Sequence, residues 1–139
     1  MTENEVARII VDASYNIHKS LGPGLLESVY EAVLAHELES RGLRVQRQAP
    51  VPISWEGMHF EEGFCADLIV DDLVIVELKS VEKLAPVHGK QLLTYLRLTG
   101  KRLGLLLNFG EELMRNGIKR VVNGLPDEVS PQDPSIRRP

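Results

Sequence analysis

Three charged residues lie beside or within two of the most apolar runs of the chain, at a spacing that could hold a metal ion. Asp67 precedes the apolar residues 68–70, and Glu77 and Lys79 interrupt the β-branched run that starts at Leu73. A buried charge without a partner is strongly unfavourable. These side chains therefore need each other, or a bound cation, to justify their position.

The turn between the two runs decides whether the carboxylates share a face. Side chains alternate along a strand, so Glu77 and Lys79 lie on the same face. A two-residue loop would pair Asp67 with Val76 and place Glu77 on the opposite face. A three-residue loop at 71–73, or a bulge, pairs Asp67 with Glu77. Only the second register lets both carboxylates hold one cation, and it is the one we predict.

Two carboxylates and a lysine on one face suit metal-assisted hydrolysis of a phosphodiester. Mg²⁺ is commonly held by one or two carboxylates with water and phosphate oxygens, and it activates water and stabilises developing charge. Lys79 would place a positive charge near phosphate or the attacking water. The competing interpretation is an ordinary ion pair of solvated Asp, Glu and Lys. For a motif this short, taken alone, that interpretation carries most of the weight.

Composition indicates one domain over residues 1–124. The chain has 139 residues, of which 43% are hydrophobic, enough apolar material for a core. Residues 125–139 contain four prolines and no apolar periodicity, so we expect a disordered tail. The single cysteine, Cys65, excludes an internal disulfide. We expect it to be a small buried hydrophobic residue.

The N-terminus and the charge exclude several classes of protein. The first residues contain no basic or apolar leader, and no apolar run approaches the ~20 residues of a membrane span. We therefore expect a cytoplasmic protein. A net charge of −4 argues against a surface that coats nucleic acid nonspecifically. The net charge does not exclude a local basic patch.

Periodicity and breaking residues predict an α/β order of elements. A capping box at Thr2 and Glu5 begins a helix over residues 3–20, and a second helix covers 25–41. Strands follow at 43–55 and 59–70, the first at an edge because of two prolines. The predicted central strand is 73–79. A helix at 87–99, a buried strand at 103–109 and a final edge strand at 118–122 complete the order.

Other polar residues have two possible interpretations each. Glu27 lies in the first turn of the second helix, where the helix dipole alone favours a glutamate, and on sequence mechanics this is the stronger explanation. The basic residues Arg41, Arg44 and Arg47 could face phosphate or form a solvated edge. The four histidines lack zinc-ligand spacing and are expected at the surface or in packing.

The order of motifs resembles the core of the PD-(D/E)XK nuclease superfamily. Within it, Gly24-Leu-Leu-Glu27-Ser-Val-Tyr30 is similar to the signature of the GxxExxY proteins. The resemblance continues through Asp67, Glu77-Leu-Lys79 and Gln91-Leu-Leu-Thr-Tyr95 to Leu107-Asn-Phe109. It covers residues 4–123. Four motifs occur in the correct order and spacing.

The resemblance implies a restriction-endonuclease-like fold with two N-terminal helices, a mixed sheet with a central hairpin, and a helix and strand after it. By resemblance, Asp67, Glu77 and Glu27 hold a divalent cation, Mg²⁺ or Mn²⁺, and Lys79 positions or activates water. The same resemblance assigns supporting roles to three further residues: Gln91, Tyr95 and Tyr30.

Two functions follow from this resemblance. The first is a metal-dependent nuclease acting on nucleic acid, with DNA the preferred substrate. The second is a noncatalytic nuclease-like module that binds nucleic acid or a protein partner. Either could act as a homodimer. The choice between DNA and RNA, and between exonuclease and endonuclease, stays open.

Overall fold

The two N-terminal helices begin close to the predicted positions. In the computed structural model, which describes residues 1–126, helix α1 spans Glu3–Leu21 and helix α2 spans Glu27–Ser40. Thr2 and Glu5 form the predicted capping box, which satisfies two of the backbone N–H groups that a helix start leaves free. Helix α2 begins two residues later than predicted, so Glu27 is its first residue.

The strands form one five-stranded mixed sheet in the order β1-β2-β3-β4-β5. Only the central pair β3 and β4 is parallel, and helix α3 (Pro86–Thr99) connects these two strands, as a parallel crossover requires. The two edge strands are β1, which contains Pro50 and Pro52, and β5, as predicted. The strand bounds are β1 Val45–Trp55, β2 Met58–Val70, β3 Val74–Lys79, β4 Leu103–Asn108 and β5 Ile118–Val122.

The β2–β3 turn has the predicted three-residue register. Val70 pairs with Val74 and Leu68 with Val76, so Asp67 lies opposite Glu77 on the same face of the sheet. The turn residues Asp71 and Asp72 have φ of 51° and 55°. Aspartate tolerates this left-handed conformation better than most residues.

Two apolar clusters cover the two faces of the sheet unequally. Helices α1 and α2 bury the larger cluster, in which the ring of Tyr30 stacks on Phe109 at 4.5 Å between centroids. Helix α3 covers the other face with a smaller cluster that includes Leu92, Leu96 and Leu106. Part of this second face therefore stays open beside α3, and Asp67 and Glu77 are on that face.

The residues that the structure describes end at Pro126. Leu125 packs against the larger cluster, while residues 127–139, most of the predicted disordered tail, lie outside the described residues. Within residues 1–126, no helix is long and apolar enough to cross a membrane. The domain boundary at residue 124 and the cytoplasmic location stay predictions.

The hydroxyl of Tyr30 fixes the loop that precedes α2. This fully buried hydroxyl donates to the Gly22 carbonyl and accepts from the Leu25 N–H. We expect Tyr30→Phe to lower the free energy of unfolding by about 1–2 kcal/mol, because it removes two hydrogen bonds of a buried group. Urea denaturation measures the change. Tyr15→Phe, at an exposed tyrosine, is the control, and equal effects of both changes would contradict the assignment.

Candidate active site

A cavity of about 150 Å³ lies between the sheet and helix α3. Its lining brings together residues that are far apart in the chain and come from α2, β2, β3, α3 and β4. All four predicted catalytic residues and two of the three supporting residues line it, namely Glu27, Asp67, Glu77, Lys79, Gln91 and Tyr95. Tyr30 does not line the cavity, because it is buried in the core on the other face of the sheet.

Asp67 and Glu77 are in direct contact. The Asp67 N–H donates to Glu77 Oε2 at 3.1 Å, and the Leu78 N–H donates to Asp67 Oδ2 at 2.9 Å. Burial, with the hydrogen bond and the negative charge of Asp67, raises the pKa of Glu77 to about 9. Two adjacent carboxyl groups in a poorly hydrated place cannot both ionise easily. In the metal-free protein Glu77 is therefore protonated at neutral pH.

Lys79 shares the face of Glu77 but forms no ion pair within 4 Å among the described residues. Its positive charge nevertheless acts on Glu77, where it opposes the rise in pKa. The competing interpretation from the sequence expects an ordinary ion pair of Lys79 with Asp67 or Glu77. The described residues do not form this pair. Lys79 as a whole is half-buried, and it lines the cavity.

Glu27 lies at the mouth of the cavity and is exposed. The loop before it is fixed from two sides. Tyr30 binds the loop at Gly22 and Leu25, and the Ser80 hydroxyl donates to the Leu25 carbonyl at 2.6 Å. These contacts fix the start of α2 against the segment that follows Lys79, so the position of Glu27 is set by tertiary structure as well as by the helix dipole.

A polar network behind Asp67 is not apparent from the sequence. The amide nitrogen of Gln48 donates to Glu31 and, at 3.3 Å, to Asp67 Oδ1. Glu31 is only 7% exposed and also accepts from Arg47 at 3.2 and 3.3 Å. The network connects α2 through β1 to a predicted metal ligand. The one sequence signal is Glu31, one helical turn after Glu27.

Gln48 adopts an unusual backbone conformation within β1. Its φ is 48°, in the left-handed region that costs a residue with a Cβ about 1–2 kcal/mol. The pairing of β1 with β2 omits this residue, since Arg47 pairs with Leu68 and Ala49 with Ala66. Such strain is commonly maintained at functional sites. Here it accompanies the hydrogen bonds that place the side chain between Glu31 and Asp67.

Asn108 fixes the segment after Lys79. Its fully buried side chain accepts from the N–H groups of Val81 and Gly110 and donates to the Val81 carbonyl. The Phe109 N–H donates to the Lys79 carbonyl at 2.8 Å. The Leu107-Asn-Phe109 motif therefore supports the end of β3 from the adjacent strand and does not line the cavity.

Helix α3 supplies the opposite wall of the cavity. Tyr95 stacks on Phe64 at 3.9 Å between ring centroids, and burial, with the charges of Glu77 and Asp67, raises its pKa. His88 caps the helix by accepting from the Ala85 N–H and also lines the cavity. Sequence reasoning missed this position because His88 matches no metal-ligand spacing.

The environment of Cys65 differs from the expected one, and the structure does not bring the three arginines together. Cys65 is half-buried and lines the cavity, because it lies two residues before Asp67 on the partly open face. Burial and neighbouring carboxylates raise the pKa of its thiol. The three arginines do not form a patch, since Arg41 pairs with Asp12 and Glu37, Arg47 pairs with Glu31, and Arg44 lies near the β2–β3 turn.

The donor set fits a hard divalent cation. Among residues 1–126, no group of three or more His, Cys, Asp or Glu side chains is arranged to hold a metal. The paired oxygens of Asp67 and Glu77 nevertheless match Mg²⁺ or Mn²⁺, which often retain several waters and take one or two carboxylates. A cation would also replace the proton of Glu77, because its positive charge allows both carboxyl groups to ionise. Glu27 lines the same cavity without belonging to such a group.

The chain belongs to the PD-(D/E)XK nuclease superfamily. The sequence model of this superfamily matches residues 4–121, a range that contains every helix and strand except the first residue of α1 and the last residue of β5. Comparison with curated proteins and with solved structures found no match. The restriction-endonuclease-like arrangement of helices and sheet agrees with this membership. The GxxExxY group, which the sequence resembles more closely, is a finer assignment that this match does not test.

The raised pKa of Glu77 predicts a pH-dependent stability. Because the folded pKa is about 9 and the ordinary value is 4.5, this group favours folding below pH 4.5, and the contribution is lost as the pH rises toward 9. Glu77→Gln imitates the protonated form. We expect it to stabilise the metal-free protein by about 1–3 kcal/mol at pH 8 and by less at pH 5.

Urea denaturation in EDTA at both pH values measures this difference. Glu62→Gln removes an exposed carboxylate of the neighbouring strand β2 and is the matched control. A gain that is equal at pH 5 and pH 8, or a loss of stability at pH 8, would contradict the burial of Glu77 beside Asp67.

Proposed function

We propose that this protein hydrolyses phosphodiester bonds of nucleic acid, with DNA as the first substrate to test, and that it requires Mg²⁺ or Mn²⁺. The observation that carries the proposal is the contact between Asp67 and Glu77 beside a lysine that has no ion-pair partner among the described residues. Superfamily membership supports nuclease chemistry in general. The metal, the substrate and the residue roles are our proposal.

Each residue has a distinct proposed role. Asp67 and Glu77 would hold the cation, and Glu27 at the cavity mouth would bind it through water or complete the site. The cation supplies an activated water and charge stabilisation. Lys79 contributes a positive charge for the phosphate or the attacking water. Gln91 and Tyr95 form the opposite wall, where they can hydrogen-bond to a phosphate group or to water.

Cleavage should depend on these residues in different ways. We expect Asp67→Asn to abolish divalent-ion binding and to reduce cleavage by at least about 100-fold, because it removes a charged ligand. We expect Lys79→Ala to reduce cleavage by a similar factor with metal binding retained. Nicking and degradation of supercoiled, linear and single-stranded DNA, and of RNA, measure activity, and titration calorimetry measures Mn²⁺ binding.

The same assays separate the two candidate functions. Glu62→Gln should retain activity and metal binding. If the wild-type protein cleaves no nucleic acid and binds no divalent cation that Asp67→Asn removes, the enzyme is excluded, and a noncatalytic module of the same fold replaces it. Unfolding of the Asp67 variant would assign that carboxylate a structural role.

The network behind Asp67 predicts a second effect on metal binding. We expect Gln48→Gly and Gln48→Ala each to weaken Mn²⁺ binding about tenfold, because both remove the amide that orients Asp67. The two variants should differ in stability. Glycine relieves the left-handed conformation, so Gln48→Gly should be about 1 kcal/mol more stable than Gln48→Ala. Wild-type metal affinity in either variant would show that the network is only structural.

A further inference from the structure

Two sets of basic residues differ in whether an acidic side chain neutralises them. Four are paired with acidic side chains: Arg41, Arg47, Lys101 and Arg102. Four others, around helix α3, form no such ion pair among the described residues and are exposed: Lys83, Lys90, Arg97 and Lys119. Exposed cations without counter-charges have a stronger electrostatic effect on a passing ligand than paired ones.

The sequence around α3 contains no acidic residue. Residues 83–110 include five Lys or Arg and no Asp or Glu, although the whole chain has 20 acidic residues among 139. At the average frequency this segment would contain about four acidic residues (28 × 20/139). Helix α3 lies entirely within it. Lys101 and Arg102 pair with acidic residues outside the segment. Its other three cations, Lys83, Lys90 and Arg97, have no acidic residue within the segment to neutralise them.

The geometry of α3 places these cations together. Lys90 and Arg97 are seven residues apart, two helical turns, and so lie on one side of the helix. Lys119 of β5 reaches the first turn of α3 from the sheet, since a Cβ at Gly89 would lie 2.7 Å from its Nζ. Lys83 precedes the helix in the segment after β3. We call Lys83, Lys90, Arg97 and Lys119 the α3 basic surface.

The α3 basic surface and the cavity flank the same helix. His88, Gln91 and Tyr95 line the cavity, and Gly89, Leu92 and Leu96 are buried against the sheet. A helix is about 10 Å wide, and phosphates along one strand of a duplex follow at about 3.4 Å of rise. If one phosphate of a strand lies in the cavity, the phosphates about three nucleotides further along that strand would therefore reach the basic side of α3.

We propose that the α3 basic surface binds the phosphate backbone of the nucleic acid whose bond lies in the cavity. The choice of nucleic acid as the partner rests on the proposed function. The charge distribution around α3 is observed independently of that function. The exposed residues between the two sides of the helix are uncharged, namely Val87, Thr94 and Leu98. They leave a path across the helix without a negative charge.

The test measures binding without cleavage. Fluorescence anisotropy of the full chain in EDTA, with labelled duplex and single-stranded DNA and RNA at about 50 to 300 mM salt, gives the affinity and its salt dependence. Lys90→Ser/Arg97→Ser should weaken binding about tenfold and lower the slope of log K against log salt by about 1–2. Both substitutions are at exposed positions, and unfolding curves confirm that the fold is retained.

A charge-matched control distinguishes this surface from net charge. Lys19→Ser/Arg115→Ser removes two exposed cations on the opposite side of the sheet, beside α1, and should change affinity less than twofold. Equal weakening by both double variants, or no binding of any nucleic acid by the wild-type protein, would overturn the proposal. If binding depends on Lys90 and Arg97 but no cleavage occurs in Mg²⁺ or Mn²⁺, the α3 basic surface is supported. Only the proposed nuclease activity is then contradicted.

Discussion

The turn between β2 and β3 connects its strands through three residues, and this number decides which side chains share a face of the sheet. A change of one residue in the pairing would move Asp67 and Glu77 to opposite faces. Polar contacts outside the site hold the turn. Asp71 accepts from the Arg44 N–H at 2.8 Å, and Asp72 pairs with Lys101 at 2.9 Å. The contact of the two carboxyl groups thus depends on a turn at the other end of the strands.

The unequal cover of the sheet explains why the charges lie where they do. Helices α1 and α2 close one face with a large apolar cluster, but on the other face α3 buries few side chains. The cavity occupies the part of that face that α3 leaves open. Asp67 and Glu77 are therefore desolvated enough to interact strongly, yet a ligand or water can reach them. A fully packed face would exclude the cation, and a fully solvated one would weaken its attraction.

Much of the fold could be predicted from the sequence because its signals are local. The capping box, the prolines of β1 and the β-branched run of β3 each determine a nearby element, and the structure agrees with all of them. The network of Gln48 and Glu31 could not be predicted, because it depends on a left-handed residue in a strand and on contacts across 17 positions. Tyr30 illustrates the same limit, since its place in a motif does not reveal that it faces the core.

The charge distribution resolves an apparent conflict between a net charge of −4 and the proposed nucleic-acid substrate. Exposed carboxylates at Glu56, Glu61 and Glu62 lie along the outer part of the β1–β2 hairpin, whereas the α3 basic surface flanks the cavity on the other side. Charges separated by more than the Debye length, about 8–10 Å in physiological salt, are largely screened from each other. A phosphate group near the cavity therefore responds to the charges next to it and not to the average of the chain. This local field would repel a polyanion from the hairpin and attract it to α3, which gives the substrate one direction of approach.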